Sequence, residues 1–249
     1  MPSKSPPTVS LFVPCIAEHV YPDVAWASVR LLERAGARVT VPEGQTCCGQ
    51  PPYKNGHFDE AVHMAKGFIE RLEHCETLVG PTASCVAMVR ESYPKLLADE
   101  PQWAERAKAL AGKIFELSEY LVDHLGVQDL GAELPGRAAY HESCQMTRGL
   151  GLREQPKILL RHVHGLELQP LPRADRCCGM GGAFSVRLPE ISAGLLDDKL
   201  EDLLSTEPDY IITAELSCLL NLDSAIRKRG LPVKALHLAQ VLDSKGGRA

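Results

Sequence analysis

The chain has 249 residues, 45% hydrophobic and 24% charged, with a formal net charge of −5 at pH 7. That is the balance of a soluble globular protein with one large domain or two of roughly 120 residues; the lack of a basic stripe argues against a nucleic-acid partner, and no apolar run reaches the ~20 residues of a membrane span. The Pro/Ser-rich start has no apolar signal-peptide core, so the expected location is cytoplasmic, where cysteines serve as metal ligands or catalysts more often than as disulfides.

In chain order, Val9 to Val13 is an apolar, β-prone run stopped by Pro14, and reads as a buried strand leading to Cys15. Helical spacing follows from Pro22 to Ala35, where Val24, Ala25, Ser28, Leu31, Leu32 and Ala35 share a face; Pro22 suits the first turn and Gly36 the stop. Arg38 to Val41 is a second strand, and the Gly/Pro-rich loop 43–53 carries Cys47 and Cys48. A helix over 59–73 and a strand over 77–79 lead to Cys85. The sequence then predicts a helix over 86–92 cut by Pro94, a helix over 102–111, a strand over 113–116 and a short helix over 118–124.

Residues 127–136 hold two glycines and a proline without a period, which places a domain boundary there and gives domains 1–130 and 131–249. The order then repeats. A strand over 137–141 leads to Cys144, and a helix over 156–163, a strand over 166–171 and the Cys177-Cys178-Gly179 loop follow. A helix over 189–204, with Ile191, Leu195, Leu196 and Leu203 on one side, precedes a strand over 210–213 that runs into Cys218. A helix over 219–228 and a strand over 233–236 close the chain. Leu236 to Asp243 echoes Glu116 to Asp123.

The duplication is clearest in the cysteines. Cys15, Cys47, Cys48 and Cys85 match Cys144, Cys177, Cys178 and Cys218 at offsets of 129, 130, 130 and 133 positions, so eight of the nine cysteines form one pattern written twice. Only Cys75 stands outside it, and it reads as a small buried apolar residue. Alternating strands and helices predict an α/β fold of two pseudo-symmetric domains, each with a small, mainly parallel sheet flanked by helices. Loops at the carboxyl ends of such strands form the ligand crevice, which gathers each set of four cysteines at one sheet edge.

Four thiols in one place admit an iron–sulfur cluster, whose soft core matches thiolates; a structural zinc site; or a thiol–disulfide pair using the adjacent cysteines. Zinc sites favour closely spaced Cys-x-x-Cys pairs, absent here, and the disulfide reading lacks the same arrangement. Gly49, Gly179, Gly181 and Gly182 let the backbone turn and approach a bulky ligand, with N–H groups available to sulfur. His141, next to the second set, offers a ligand nitrogen, a proton carrier or a hydrogen-bond donor, and reads equally well as a structural histidine; its counterpart in the first half is Phe12.

Cys47-Cys48-Gly49-Gln50-Pro51, Tyr140-His141-Glu142-Ser143-Cys144 and Cys177-Cys178-Gly179-Met180-Gly181-Gly182 resemble the cysteine-rich CCG-domain family over nearly the whole chain. That family includes a component of heterodisulfide reductase, the iron–sulfur subunits of glycolate oxidase and anaerobic glycerol-3-phosphate dehydrogenase, and the lactate-utilisation protein A group, which this chain resembles in its length and its two motifs. The resemblance implies an electron-transfer subunit of a complex oxidising L-lactate to pyruvate, with a ferredoxin-type iron–sulfur partner and a third small subunit. It implies one or two iron–sulfur clusters of the [4Fe–4S] kind on the eight repeated cysteines, with zinc as the alternative and a small 2-hydroxy acid as a candidate ligand. The heterodisulfide reductase relatives end each domain in Cys-x-x-Cys; here Thr82 and Glu215 stand at the extra positions, leaving four thiols per domain.

The remaining candidates carry less. His19 follows Cys15 by four residues. Arg148 and Arg153 offer charge to a carboxylate, although a solvated helix face explains them as well, and Lys54, Arg90 and Arg187 are similar. Glu215 is a hard ligand, poorly matched to an iron–sulfide corner. No dinucleotide-binding glycine motif, Ser/His/Asp order or His-Glu-x-x-His pattern is present.

Overall fold

A computed structural model describes residues 5–171 and 173–246. The chain divides between Val127 and Gln128 into two compact units. The first holds strands β1 (Thr8–Leu11), β2 (Arg38–Thr40), β3 (Leu78–Gly80) and β4 (Ile114–Glu116). Its helices are α1 (Cys15–His19), α2 (Pro22–Arg34), α3 (Gln50–Lys54), α4 (Phe58–Leu72), α5 (Ala83–Ala87), α6 (Tyr93–Leu96), α7 (Pro101–Ala111) and α8 (Leu117–Glu119). The second holds β5 (Glu133–His141), β6 (His164–Gln169), β7 (Tyr210–Thr213) and β8 (Lys234–His237), with α9 (Gln155–Arg161), α10 (Ala183–Arg187), α11 (Pro189–Leu204), α12 (Leu216–Arg229) and α13 (Leu238–Leu242).

Both sheets are wholly parallel and have one topology, β2-β1-β3-β4 and β6-β5-β7-β8. The strand order turns back between β1 and β3, and again between β5 and β7. At such a switch point the loops leaving the two neighbouring strands diverge and open a crevice at the carboxyl edge. Helical crossovers cover parallel strands and bury them, and Val9, Leu11, Leu78, Val79, Ile211 and Ile212 are all fully buried. Of the α2 face expected from the spacing, Val24, Ser28, Leu31 and Leu32 are buried while Ala25 and Ala35 are half-buried and Ala27 takes an inner place; Gly36 ends the helix region at φ +87°.

Several elements differ from the sequence expectation. Cys15 opens α1 after Pro14 instead of lying at a strand end, and Gln50 to Lys54 is helical inside the expected loop. Pro94 does not cut the helix after Cys85. Helical backbone continues through a π turn, Met88–Ser92, into α6, with Pro94 in the first turn of that piece; a proline lacks the N–H donor, and the wider turn absorbs the mismatch. β5 begins at Glu133, inside the segment read as a linker, because Glu133 and Gly136 pair with β6. On α11, Ile191 is 55% exposed while Ser192 and Lys199 join the buried face.

The echo of Leu236 to Asp243 with Glu116 to Asp123 is also shifted by one residue. Glu116 and His237 are the matching residues: each ends the last strand of its unit and caps the helix that follows, in a capping box completed by Glu119 and Gln240 respectively. Glu116 is fully buried. Its Oε2 accepts from Ser118 N at 2.7 Å and from the Ser118 hydroxyl, while Oε1 has no hydrogen-bond partner among the described residues. Burial pushes the carboxyl up to about 7 from 4.5, against the bonds from Ser118 that favour the charged form.

Two outcomes follow for stability. Because the folded pKa of Glu116 exceeds the unfolded value, its contribution is complete below pH 4.5 and is lost as pH rises through 7. Glu116→Gln therefore flattens that slope, about 3 kcal/mol between pH 4.5 and 8 at 1.36 kcal/mol per pKa unit, in urea unfolding at stepped pH. Phe68 packs edge-on against Phe12 and Tyr93, with ring centroids 5.0 and 5.8 Å away. Phe68→Ala lowers the unfolding free energy of the first unit by about 3–5 kcal/mol, read from the same denaturation curves.

Candidate metal centres

Each cysteine of a set reaches the carboxyl edge by a different route. Cys15 and Cys144 follow the strands at one side of the switch point, β1 and β5. Cys85 and Cys218 sit in the first turns of α5 and α12, which follow the strands at its other side, β3 and β7. The Cys-Cys-Gly triplets arrive from the loops after β2 and β6. The glycine makes this arrival possible: Gly49 has φ +74° and Gly179 φ +83°, left-handed values that cost other residues steric strain. A Cβ on Gly179 would lie 2.4 Å from Ser192 O, so α11 packs directly on the turn. In both turns the glycine N–H donates to the first cysteine of the pair, Gly179 N to Cys177 Sγ at 3.4 Å and Gly49 N to Cys47. Gly181 acts differently: it has no positive φ, but a Cβ there would meet Phe184 Cβ at 2.6 Å.

The carbonyl of the second cysteine is also held in both units. Tyr93 Oη donates to Cys48 O at 2.9 Å, and Asn221 Nδ2 donates to Cys178 O at 2.7 Å. These two residues were missed at the sequence level, since neither lies in a recognisable motif. Each sits on the helical stretch behind the last cysteine of its set.

In the first unit the thiols interact in a chain: Cys15 and Cys48 both donate to Cys47, and Cys48 also interacts with Cys85. Cys15 is exposed, Cys47 and Cys85 are half-buried and Cys48 is buried. Bonds from Cys15 and Cys48 pull the Cys47 thiol far down, while the bond to Cys47, with burial added, pushes Cys15 and Cys48 up. Cys47 is thus favoured as thiolate between two neighbours that hold their protons. A metal relieves that crowding, because it binds thiolates and releases the protons.

The second unit is more compact. Cys178 Sγ lies 3.0 Å from Cys218 Sγ, and His141 supplies a third donor, with all three ligand atoms within 4.8 Å of one another. All three residues are buried. The bond with Cys178 favours the Cys218 thiolate, but burial, the charge of Glu215 and those of the half-buried Cys144 and Cys177 together push the Cys218 thiol up. Neither ring nitrogen of His141 has a hydrogen-bond partner among the described residues. Burial, with the charge of Lys199 added, lowers the ring to about 3 and keeps it neutral. A buried neutral imidazole with two unpaired nitrogens beside two thiols is a donor set ready for a soft or borderline metal.

The other sequence candidates lie outside these centres. His19 is largely exposed, 3.9 Å from Glu18. Glu142 engages Arg153 at 3.3 Å and Lys157 at 2.7 Å, and Arg148 reaches the Asp175 carbonyl at 3.5 Å, so these arginines brace the local fold. Arg90 makes two bonds to Glu119, at 2.8 and 3.0 Å. Glu215 caps α12 through Ser217, with its carboxylate accepting from the hydroxyl at 2.9 Å. Cys75 is buried ahead of β3, at the amino edge, with His74 as its neighbour. Lys199, fully buried on α11, is a further residue by the second centre that sequence reading passed over. Its signal was a lysine in phase with Ser192, Leu196 and Leu203.

With this geometry in view, comparison with known proteins is specific. The Cysteine-rich domain (CCG) family matches twice, over residues 9–90 and 138–223. Lactate utilization protein A of Geobacillus sp. (strain WCH70) is 45% identical over 95% of this chain and 99% of its own length. The protein of that name from Geobacillus thermodenitrificans is 46% identical over the same shares. A crystal structure of a hypothetical protein from Helicobacter pylori covers 96% of this chain and 49% of its own, with a TM-score of 0.65 at 12% identity, a likeness of fold. The chain belongs to the cysteine-rich CCG-domain family, carries the domain in two copies, and falls with the proteins named lactate utilization protein A.

Proposed function

We propose that this protein is an iron–sulfur electron-transfer component of lactate utilisation, acting in a complex that oxidises L-lactate to pyruvate. The relatives named lactate utilization protein A support the pathway. The observation that carries the redox reading is the pair of four-cysteine sets at matching switch points, each linked by sulfur–sulfur contacts. An iron–sulfur cluster, when bound, supplies one-electron transfer. Cys15, Cys47, Cys48 and Cys85 would hold one in the first unit, and Cys144, Cys177, Cys178 and Cys218, with His141, one in the second.

The chain's own part is placement and electrostatics. The left-handed glycine turns redirect the chain directly after the two adjacent thiols, and the Gly49 and Gly179 N–H groups donate to sulfur, which stabilises thiolate and raises the potential of a bound centre. Tyr93 and Asn221 lock the turn from behind. Cys15, the exposed member, opens the first centre toward solvent and toward a partner. A ferredoxin-type iron–sulfur subunit and a third small subunit complete the proposed assembly. No described helix is long and apolar enough to cross a membrane.

A second reading draws on the compactness of the second unit. Two thiols and an imidazole within 4.8 Å suit a single tetrahedral zinc ion, which would make the chain a scaffold of the same complex.

Anaerobic purification with iron, acid-labile sulfide and zinc analysis separates the two readings. Iron and sulfide near four or eight per chain with brown colour are expected; zinc alone, without colour even after reconstitution, overturns the redox reading. Cys178→Ala is expected to remove the iron of the second unit, whereas Cys75→Ala retains the full iron content and visible spectrum.

A further inference from the structure

The two units are built alike but furnished differently around the cysteines. Ala61 O faces Gly49 as Ser192 O faces Gly179, which puts α4 and α11 in register. Along that register Ile69 matches Leu200 and Leu72 matches Leu203, all buried. The same register sets Lys199 against Phe68. One sheet position further in, His141 stands against Phe12 at the end of the central strand. In the first unit Phe12 and Phe68 are in ring contact, 5.0 Å between centroids. The second unit has replaced this apolar pair with an imidazole and a lysine, both buried.

A buried ammonium is costly unless it is partnered. Lys199 Nζ donates to Ala174 O at 2.8 Å and Arg173 O at 3.2 Å, on the strap that leads into Cys177 and Cys178. Asp202 lies 3.7 Å away but is shared with Arg173, whose Nε is 3.5 Å from it, and Asp175 acts on the ammonium's charge only through space. Cys178 is within electrostatic reach of that charge.

Resting on the iron–sulfur reading above, we infer that the two centres are chemically unequal: the second takes His141 as a nitrogen ligand, has Lys199 as its buried counter-cation, and is the higher-potential, electron-accepting member of the pair. With five donors around a four-iron core, His141 takes a corner that one of the four thiolates would otherwise fill, and a neutral imidazole there removes negative charge from the centre and raises its potential. A fixed cation in a low-dielectric site acts in the same direction, favouring the more negative, reduced form. Lys199 is a positioning residue: it holds the strap through two carbonyls and acts on the centre through space.

The test uses the full chain, iron-loaded anaerobically, with EPR-monitored redox titration. The signal lost in Cys178→Ala identifies the second centre. In the unaltered protein that signal is expected to have the higher midpoint and, after labelling with 15N-histidine, an imidazole nitrogen hyperfine coupling. Lys199→Met is expected to keep the iron and to shift the one-electron equilibrium of that centre at least tenfold toward the oxidised form, 59 mV, while the first centre moves less than threefold. An iron-loaded protein whose second centre shows no nitrogen coupling, or has the lower midpoint, overturns this inference and leaves the iron–sulfur reading standing. So does a Lys199→Met protein that keeps its iron at an unchanged potential. A colourless zinc protein overturns both. If Lys199→Met does not fold, the nitrogen coupling and the order of midpoints in the unaltered protein decide the matter.

Discussion

The left-handed turn at the glycine of each Cys-Cys-Gly triplet is the constraint from which the rest of the site follows. Two adjacent cysteines on an extended strand point to opposite sides. The positive φ at Gly49 and Gly179 turns the chain sharply just after the pair, and α4 and α11 pack on the turn. The glycine N–H donates to the first sulfur and a side chain from behind fixes the second carbonyl. Without that turn the remaining two cysteines of each set, one from either side of the switch point, would have nothing to meet.

Parallel topology supplies the other half of the arrangement. Because all strands of a sheet run the same way, every loop that follows a strand emerges at one edge. Residues as far apart as Cys15 and Cys85 thereby become neighbours without a long loop. The duplicated order β2-β1-β3-β4 and β6-β5-β7-β8 makes the same site twice, and the selection that fills each site acts on the residues just behind the sulfurs. An aromatic cluster does this in the first unit, and a histidine with a lysine does it in the second. An aromatic wall leaves thiols as the only donors; the polar one adds a nitrogen and a charge.

Charged side chains that look available in sequence are mostly spent on local structure. Arg90 with Glu119, Arg153 and Lys157 with Glu142, and Glu215 with Ser217 are all satisfied within a few residues or one strand of their own position. Buried carboxylates need such partners, since an unpaired charge away from water is costly. The exception is Glu116, where one oxygen is unpartnered and the carboxyl is held up near neutrality.

The duplication, the α/β order, the cysteine pattern and the glycine turns were all legible in the chain, because they depend on local spacing and on residue types with few alternative uses. Sequence reading located the strands to within a few residues and erred where backbone geometry was decided by contacts: the π turn that carries Pro94, the helix at Cys15, the early start of β5 and the one-residue shift that pairs Glu116 with His237. Only the tertiary structure decided which side chains stand behind the sulfurs. Tyr93, Asn221 and Lys199 come from helices distant in sequence, and their roles depend on helix phase and on burial. The inequality of the two centres belongs to the same class: His141 and Lys199 are 58 positions apart, and only the packing of α11 against the end of β5 brings a cation to the edge where the imidazole and the thiols meet.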